Sequence, residues 1–221
     1  MSPGRSRDLA GAMKVAILGG TGSFGGALAA RLVAAGGHEV VIGSRDAGRA
    51  EAAAADLGGS ASGAVNEEAV RGVTLAVLAV KAEAALDTAR EVAAALGDTP
   101  LLSVASALSF AKDGVRPDAD VRSLAERIQA VVSGPVVAGL HSIAAASLGS
   151  APPEEDALVC GDDADAKALA LELAGVAVAG RALDAGPLAN ARTLEGLTAV
   201  IVNLNRRYKA HAGIRVTGLD A

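Results

Sequence analysis

Apolar residues in this chain fall into short continuous runs separated by Ala- and Leu-rich stretches of helical spacing. One run opens at Val15, and others cover residues 40–42, 73–80 (VTLAVLAV), 101–104, 136–140 and 157–160. Continuous runs bounded by turn residues are expected of parallel strands buried on both faces. Between them, residues 46–57, 82–96 and 164–174 read as helices, the first stopped by Gly58-Gly59. Residues 62–65 make a weaker strand, 66–71 a single helical turn and 176–179 a last short strand. Residues 113–120 are polar and contain a proline, which predicts a loop. Residues 121–132 and 188–212 carry helical spacing, and 150–155 (SAPPEE) is a further loop. Strand and helix alternate, so the pattern predicts an α/β fold: a doubly wound parallel sheet with a small C-terminal helical extension. The expected divisions are a disordered leader at 1–12, a nucleotide-binding domain at 13–182 and the extension at 183–221.

The first unit carries chemistry. VAILGGTGSFGG places Gly20, Gly22 and Gly25 at G-x-G-x-x-G spacing between a strand and a helix. Gly20 is expected to permit the turn, Gly22 to let backbone N–H groups approach a pyrophosphate, and Gly25 to let helix and strand pack closely. The diphosphate would sit on the helix N-terminus, where unpaired N–H groups and the helix dipole favour negative charge. Gly-Ser44-Arg45 stands where an NAD site places an acid for the ribose hydroxyls, and Arg49 follows one helical turn on. Guanidinium groups suit a 2′-phosphate, so the dinucleotide predicted is NADP. Asp46 is expected to be spent as a helix N-cap.

A net charge of −5 without a long basic run argues against a nucleic-acid partner, and no run is long and unbroken enough to predict a membrane span. Residues 1–12 lack the apolar core of a signal peptide, so a cytoplasmic location is expected. Cys160 is the only cysteine and reads as a buried thiol in a strand; His38, His141 and His211 show no metal-ligand spacing, so no metal is expected. Asp162 and Asp163 read as helix caps, and Asp184 and Asn190, flanking Gly186-Pro187, as a turn residue and a cap. By spacing alone, His141 is a core histidine bonded to backbone, Ile143 ordinary core, and Lys81 a solvated residue starting a helix. The chain is too short for a full helical substrate domain. A small-molecule substrate must therefore lie over the carboxyl edge of the sheet, walled by the last helix or by the partner subunit of a homodimer.

Over nearly all of residues 13–219 the chain resembles the NADPH-dependent reductases of coenzyme F-420, the 8-hydroxy-5-deazaflavin carrier. The segments that carry the resemblance are VAILGGTGSFG, VVIGSR, ALDTAR (85–90), GLHSI (139–143), VCGDD (159–163) and LDAGPLANAR (183–192). It implies hydride transfer between NADP and the deazaflavin. It also implies a nucleotide set of Gly20, Thr21, Gly22, Ser23, Phe24, Gly25, Ser44, Arg45, Arg49, Val80 and Lys81, with His141 and Ile143 beside the deazaflavin ring. N–H donors or His141 at the pyrimidine edge would then stabilise the negative charge that accompanies reduction. The family's Pro-Trp after the fourth strand is Lys81-Ala82 here, and its Pro after HSI is Ala144. VLAVK is also similar to pyrroline-5-carboxylate and imine reductases. Two alternatives therefore stay open: an NADPH-dependent reductase of another imine or carbonyl, and a non-catalytic NADPH sensor.

Overall fold

A computed structural model describes residues 12–149 and 151–219; the leader expected at 1–12 lies outside them except for Ala12. Strand β1 (Lys14–Leu18) leads into α1 (Ser23–Ala35), followed by β2 (Glu39–Ser44), α2 (Ala47–Leu57), β3 (Ala61–Val65), the single turn α3 (Asn66–Ala69), β4 (Leu75–Leu78), α4 (Ala82–Leu96) and β5 (Leu101–Ser103). A hairpin of β6 (Leu108–Ala111) and β7 (Gly114–Pro117) follows. Then come α5 (Leu124–Gln129), β8 (Val136–Gly139), the turn α6 (Ala145–Leu148), β9 (Ala157–Gly161), α7 (Ala164–Ala177), β10 (Ala182–Asp184), a 3-10 turn (Leu188–Asn190) and α8 (Ala191–Tyr208).

The main sheet has the order β10-β9-β8-β5-β4-β1-β2-β3. Successive residues of its strands feed opposite layers, as the strand period of two requires. Val15, Ile17, Val40, Ile42, Leu75 and Val77 pack under α1 and α7 with Leu28, Leu32, Ala170 and Leu173. Ala16, Leu18, Ala76, Leu78 and Leu101 pack under α4 and α5 with Ala85, Ala89, Val92 and Ile128. Burying each Leu or Ile contributes about 1.5–3 kcal/mol, which explains why the strands are apolar throughout rather than alternating.

The chain winds outward from β1 in both directions, through β2 and β3 on one side and β4, β5 and β8 on the other. The switch point lies between β1 and β4, where a crevice opens at the carboxyl ends of the strands.

The structure corrects several expectations. The sheet is not wholly parallel, because β8 pairs antiparallel with β9. Residues 113–120 do not form a plain loop, since β7 pairs with β6. The last strand is β10 rather than 176–179: α7 runs on through Ala177, and the apolar residues Ala177 and Val178 are the buried end of that helix. The helix sought at 121–132 is confined to α5, and the stretch 188–212 is a 3-10 turn followed by α8, ending at Tyr208. Strand β10 lies across the expected 182/183 division.

After α8 the chain returns to the sheet edge. The buried Asp156 carboxylate accepts from Arg181 Nη2 at 2.7 Å and from the Val216 N–H at 2.8 Å, while its own N–H donates to the Ile214 carbonyl at 2.7 Å. The Arg181 guanidinium holds the Asp156 carboxyl well below the usual carboxylate range.

Candidate active site

The turn from β1 to α1 forms a cradle. Its left-handed residue is Gly19, at φ +83. Gly20 is constrained instead by crowding: a Cβ there would lie 3.0 Å from the Ile17 carbonyl and from the Ile42 side chain. Gly22 is the exposed, extended N-cap of α1. No side chain caps this helix, and no acid occupies its first turn. A helix start with no side-chain cap and no acid leaves its N–H groups for an anionic ligand. Thr21 is half-buried beside it and Ser23 is exposed.

A second corner forms at the end of β2. Ser44 is buried, and its Oγ accepts from the Asp46 N–H at 3.2 Å. Asp46 caps α2 as expected, accepting from the Arg49 N–H at 2.8 Å. Its carboxylate is thereby occupied rather than free to receive ribose hydroxyls. Arg45 and Arg49 are both exposed here. The donor set suits a phosphate at the ribose, and the cradle suits a diphosphate, so the residues present fit NADP.

Between the carboxyl ends of β4, β5 and β8 lies a cavity of about 260 Å³, which brings together Phe24, Val80, Lys81, His141 and Ile143 from the expected set. Phe24 joins it from the first turn of α1, so the cavity adjoins the cradle. A larger cavity of about 450 Å³, beside Ser147, Glu155 and His211, contains none of the expected residues. Lys81 stands at the N-cap of α4, exposed, as its spacing alone predicts, while also lining the smaller cavity.

His141 is aimed by unusual backbone. Leu140, just before it, is fully buried at φ +63. A non-glycine residue occupies that region only at a cost of about 1–3 kcal/mol when surrounding packing holds it, a feature concentrated at functional sites. His141 is 6% exposed. Burial pushes its pKa down to about 4, so the ring is neutral at neutral pH. It is bonded by its ring rather than only by backbone: Nδ1 lies 3.1 Å from Ser106 Oγ. Ile143 is buried in the layer under α1, and its N–H donates to the Leu140 carbonyl.

Three residues of this region were not singled out from the sequence. Ser106, after β5, and Thr198, on α8, line the same cavity as His141. Glu195, 3% exposed one turn before Thr198, accepts from the Leu124 and Ala125 N–H groups at 3.0 and 3.1 Å, joining α8 to the start of α5. The available signal was a polar residue on the apolar stripe of α8, between buried Leu194 and Ile201. Asn190 makes no side-chain cap, contrary to expectation; its Nδ2 donates to the Ala185 carbonyl at 2.7 Å. Asp163 does cap α7, and Asp184 closes its turn by accepting from the Gly186 N–H. Burial raises the Cys160 thiol to about 12, which makes it an inert core group. Among the described residues no group of three His, Cys, Asp or Glu side chains is placed to hold a metal ion, and no helix is long and apolar enough to cross a membrane.

Comparison with known proteins bears on the fold and the family. Residues 14–107 match the family described as NADP oxidoreductase coenzyme F420-dependent. The sequence is 36% identical to an F420-dependent NADP reductase of Methanothermobacter marburgensis, over 94% of this chain and 99% of that protein. It is 32% identical to one from Methanocaldococcus jannaschii, over 94% and 100%. Among solved structures, one from Arthrobacter sp., provisionally described as an F420-dependent NADP-reductase, superimposes with a TM-score of 0.77 at 25% identity, covering 93% of this chain and 100% of that one. An imine reductase of Streptomyces aurantiacus shares the fold at TM-score 0.59 and 22% identity, covering 89% of this chain and 61% of that one.

Proposed function

This chain belongs to the coenzyme F420-dependent NADP oxidoreductase family, and from that premise we propose that it moves hydride between NADP(H) and coenzyme F420 in the cavity beside His141. The observation that carries the proposal is the junction of the two sites: Phe24 belongs to the first turn of α1 and also lines the cavity.

When bound, the two cofactors supply the redox chemistry, one giving hydride and the other taking it. The protein's work is placement. The N–H groups of the Gly20–Gly25 turn would hold the diphosphate, and Ser44, Arg45 and Arg49 would take the 2′-phosphate. Phe24, Val80 and Ile143 are apolar cavity walls that would keep water from the reacting faces. No strong acid or base is needed at the reacting carbons, which agrees with the neutral, desolvated state of His141.

The nucleotide would lie within residues 13–182, and α8 would complete the acceptor pocket, a part supported by Thr198 lining the cavity. A homodimer and a cytoplasmic location belong to the same proposal. For the dimer, Val200, Leu204 and Tyr208 are exposed at 52%, 41% and 68%. Their i, i+4, i+8 spacing forms one exposed apolar row on α8, which supports a face between two copies.

NADPH deuterated at the nicotinamide carbon tests the transfer: the label should arrive on the deazaflavin ring carbon, and its loss to water would exclude direct hydride exchange. One observation favours the second reading, reduction of an imine or carbonyl, namely the Lys81 ammonium on the cavity wall. Lys81→Met, assayed at saturating NADPH because Lys81 also belongs to the expected nucleotide set, separates the two readings: proton donation to an imine would be lost, whereas the turnover number for hydride exchange would persist.

A further inference from the structure

Three contacts around the cavity fix the hydrogen positions on His141. Thr198 Oγ1 lies 3.0 Å from the His141 carbonyl oxygen. A carbonyl only accepts, so the single hydroxyl hydrogen of Thr198 is spent there. The contact of 2.8 Å between Ser106 Oγ and Thr198 Oγ1 must then be donated by Ser106. Ser106 Oγ has no hydrogen left for its 3.1 Å contact with His141 Nδ1, so it accepts and Nδ1 donates. Since the ring is neutral, it carries one N–H only, and Nε2 is bare. Nε2 is also buried, without a hydrogen-bond partner among the described residues.

We infer that Ser106 and Thr198 hold His141 as its Nδ1–H tautomer, and that its bare Nε2 accepts a hydrogen bond from an N–H on the heterocycle that exchanges hydride in the cavity. The identity of the heterocycle rests on the hydride-exchange reading, whereas the tautomer does not. A deazaflavin offers such a group, because its pyrimidine ring carries an imide N–H between two carbonyls. The sense is opposite to the donation expected of His141 from the sequence. A buried acceptor left unmet is costly in a low-dielectric site, and a ligand donor removes that cost. Nε2 is covered rather than open to solvent, so its partner must be a group that enters the cavity and displaces part of its wall. His141 would thus be a reader of ring orientation: with the N–H turned away, Nε2 stays unpaired, and only one face of the ring meets the nicotinamide.

Nitrogen-15 NMR of the full chain labelled at histidine tests the tautomer in the ligand-free protein. There are three histidines, and His141→Gln identifies the resonances of interest. The expected result is a pyrrole-type Nδ1 and a pyridine-type Nε2; a pyrrole-type Nε2 would overturn the inference. Ser106→Ala should shift the population toward the Nε2–H form, with NADPH binding as the check that the variant is folded. An unmoved tautomer would remove the relay. Coenzyme F420 added to the NADP-loaded protein should move the Nε2 resonance in the direction of hydrogen bonding, and Ser106→Ala should weaken the coenzyme about tenfold, the loss of one ordinary hydrogen bond. Binding that leaves Nε2 unmoved overturns the ligand half alone. Absence of binding overturns that half together with the hydride-exchange reading; the titration itself tells these two failures apart, and the tautomer result in the free protein stands or falls independently of both.

Discussion

Gly25 lies directly against the backbone of Gly19: a Cβ at position 25 would stand 2.4 Å from the Gly19 carbonyl oxygen. Because both partners are backbone, neither can rotate away. Gly25→Ala must push α1 off β1 and move its N-terminus away from the diphosphate position. Overpacking of this kind costs about 1–3 kcal/mol of stability. Both the melting temperature and NADPH affinity should fall, as measured by calorimetry and by nucleotide titration.

Arg45→Ala should weaken NADPH by about 1.5–3 kcal/mol, the range for a hydrogen bond to a charged group, with NADH affected little. Arg49→Ala should show the same selectivity. Fluorescence titration with both nucleotides measures the difference, and equal losses would take Arg45 out of the 2′-phosphate site.

The depressed pKa of His141 makes stability depend on pH. The unfolded ring takes up its proton near 6.5, whereas the folded ring does not until about 4. Between these values the unfolded chain binds more protons, so this contribution is complete above pH 6.5 and is lost as the pH falls toward 4. Melting temperatures across this window should decline in the natural chain, and His141→Gln should reduce the slope.

Features set by local backbone requirements were legible in the sequence: the glycine turn, the Asp46 and Asp163 caps, and the buried runs of β1 and β4. The β6–β7 hairpin was not, because LSFA and GVRP are largely exposed and show no apolar alternation. Nor was the direction of β9, since ALVCG reads the same whether its partner runs parallel or antiparallel. The apolar residues at 176–178 resembled a strand because the last turn of α7 carries Val176 and Ala177 directly before the buried Val178. In the site, the residues proposed to bind phosphate lie within one βαβ unit, so their spacing alone suggested them. Ser106, His141 and Thr198 are separated by 35 and 57 residues, and only the fold brings them together.

If α8 forms the face between two copies, Leu204→Glu places like charges opposite one another at its centre. Sedimentation should then show a monomer where the natural chain is a dimer. The melting temperature should fall only as far as loss of the partner requires, because Leu204 is 41% exposed within one chain.

The most direct test is to mix the purified protein with NADPH and oxidised coenzyme F420 and follow both chromophores by stopped-flow absorbance. The account predicts that NADPH absorbance and deazaflavin absorbance fall together in equal molar amounts, and that NADH in place of NADPH supports the reaction only weakly. NADPH that binds tightly yet is not oxidised by coenzyme F420, but is oxidised by an imine or carbonyl, would contradict it.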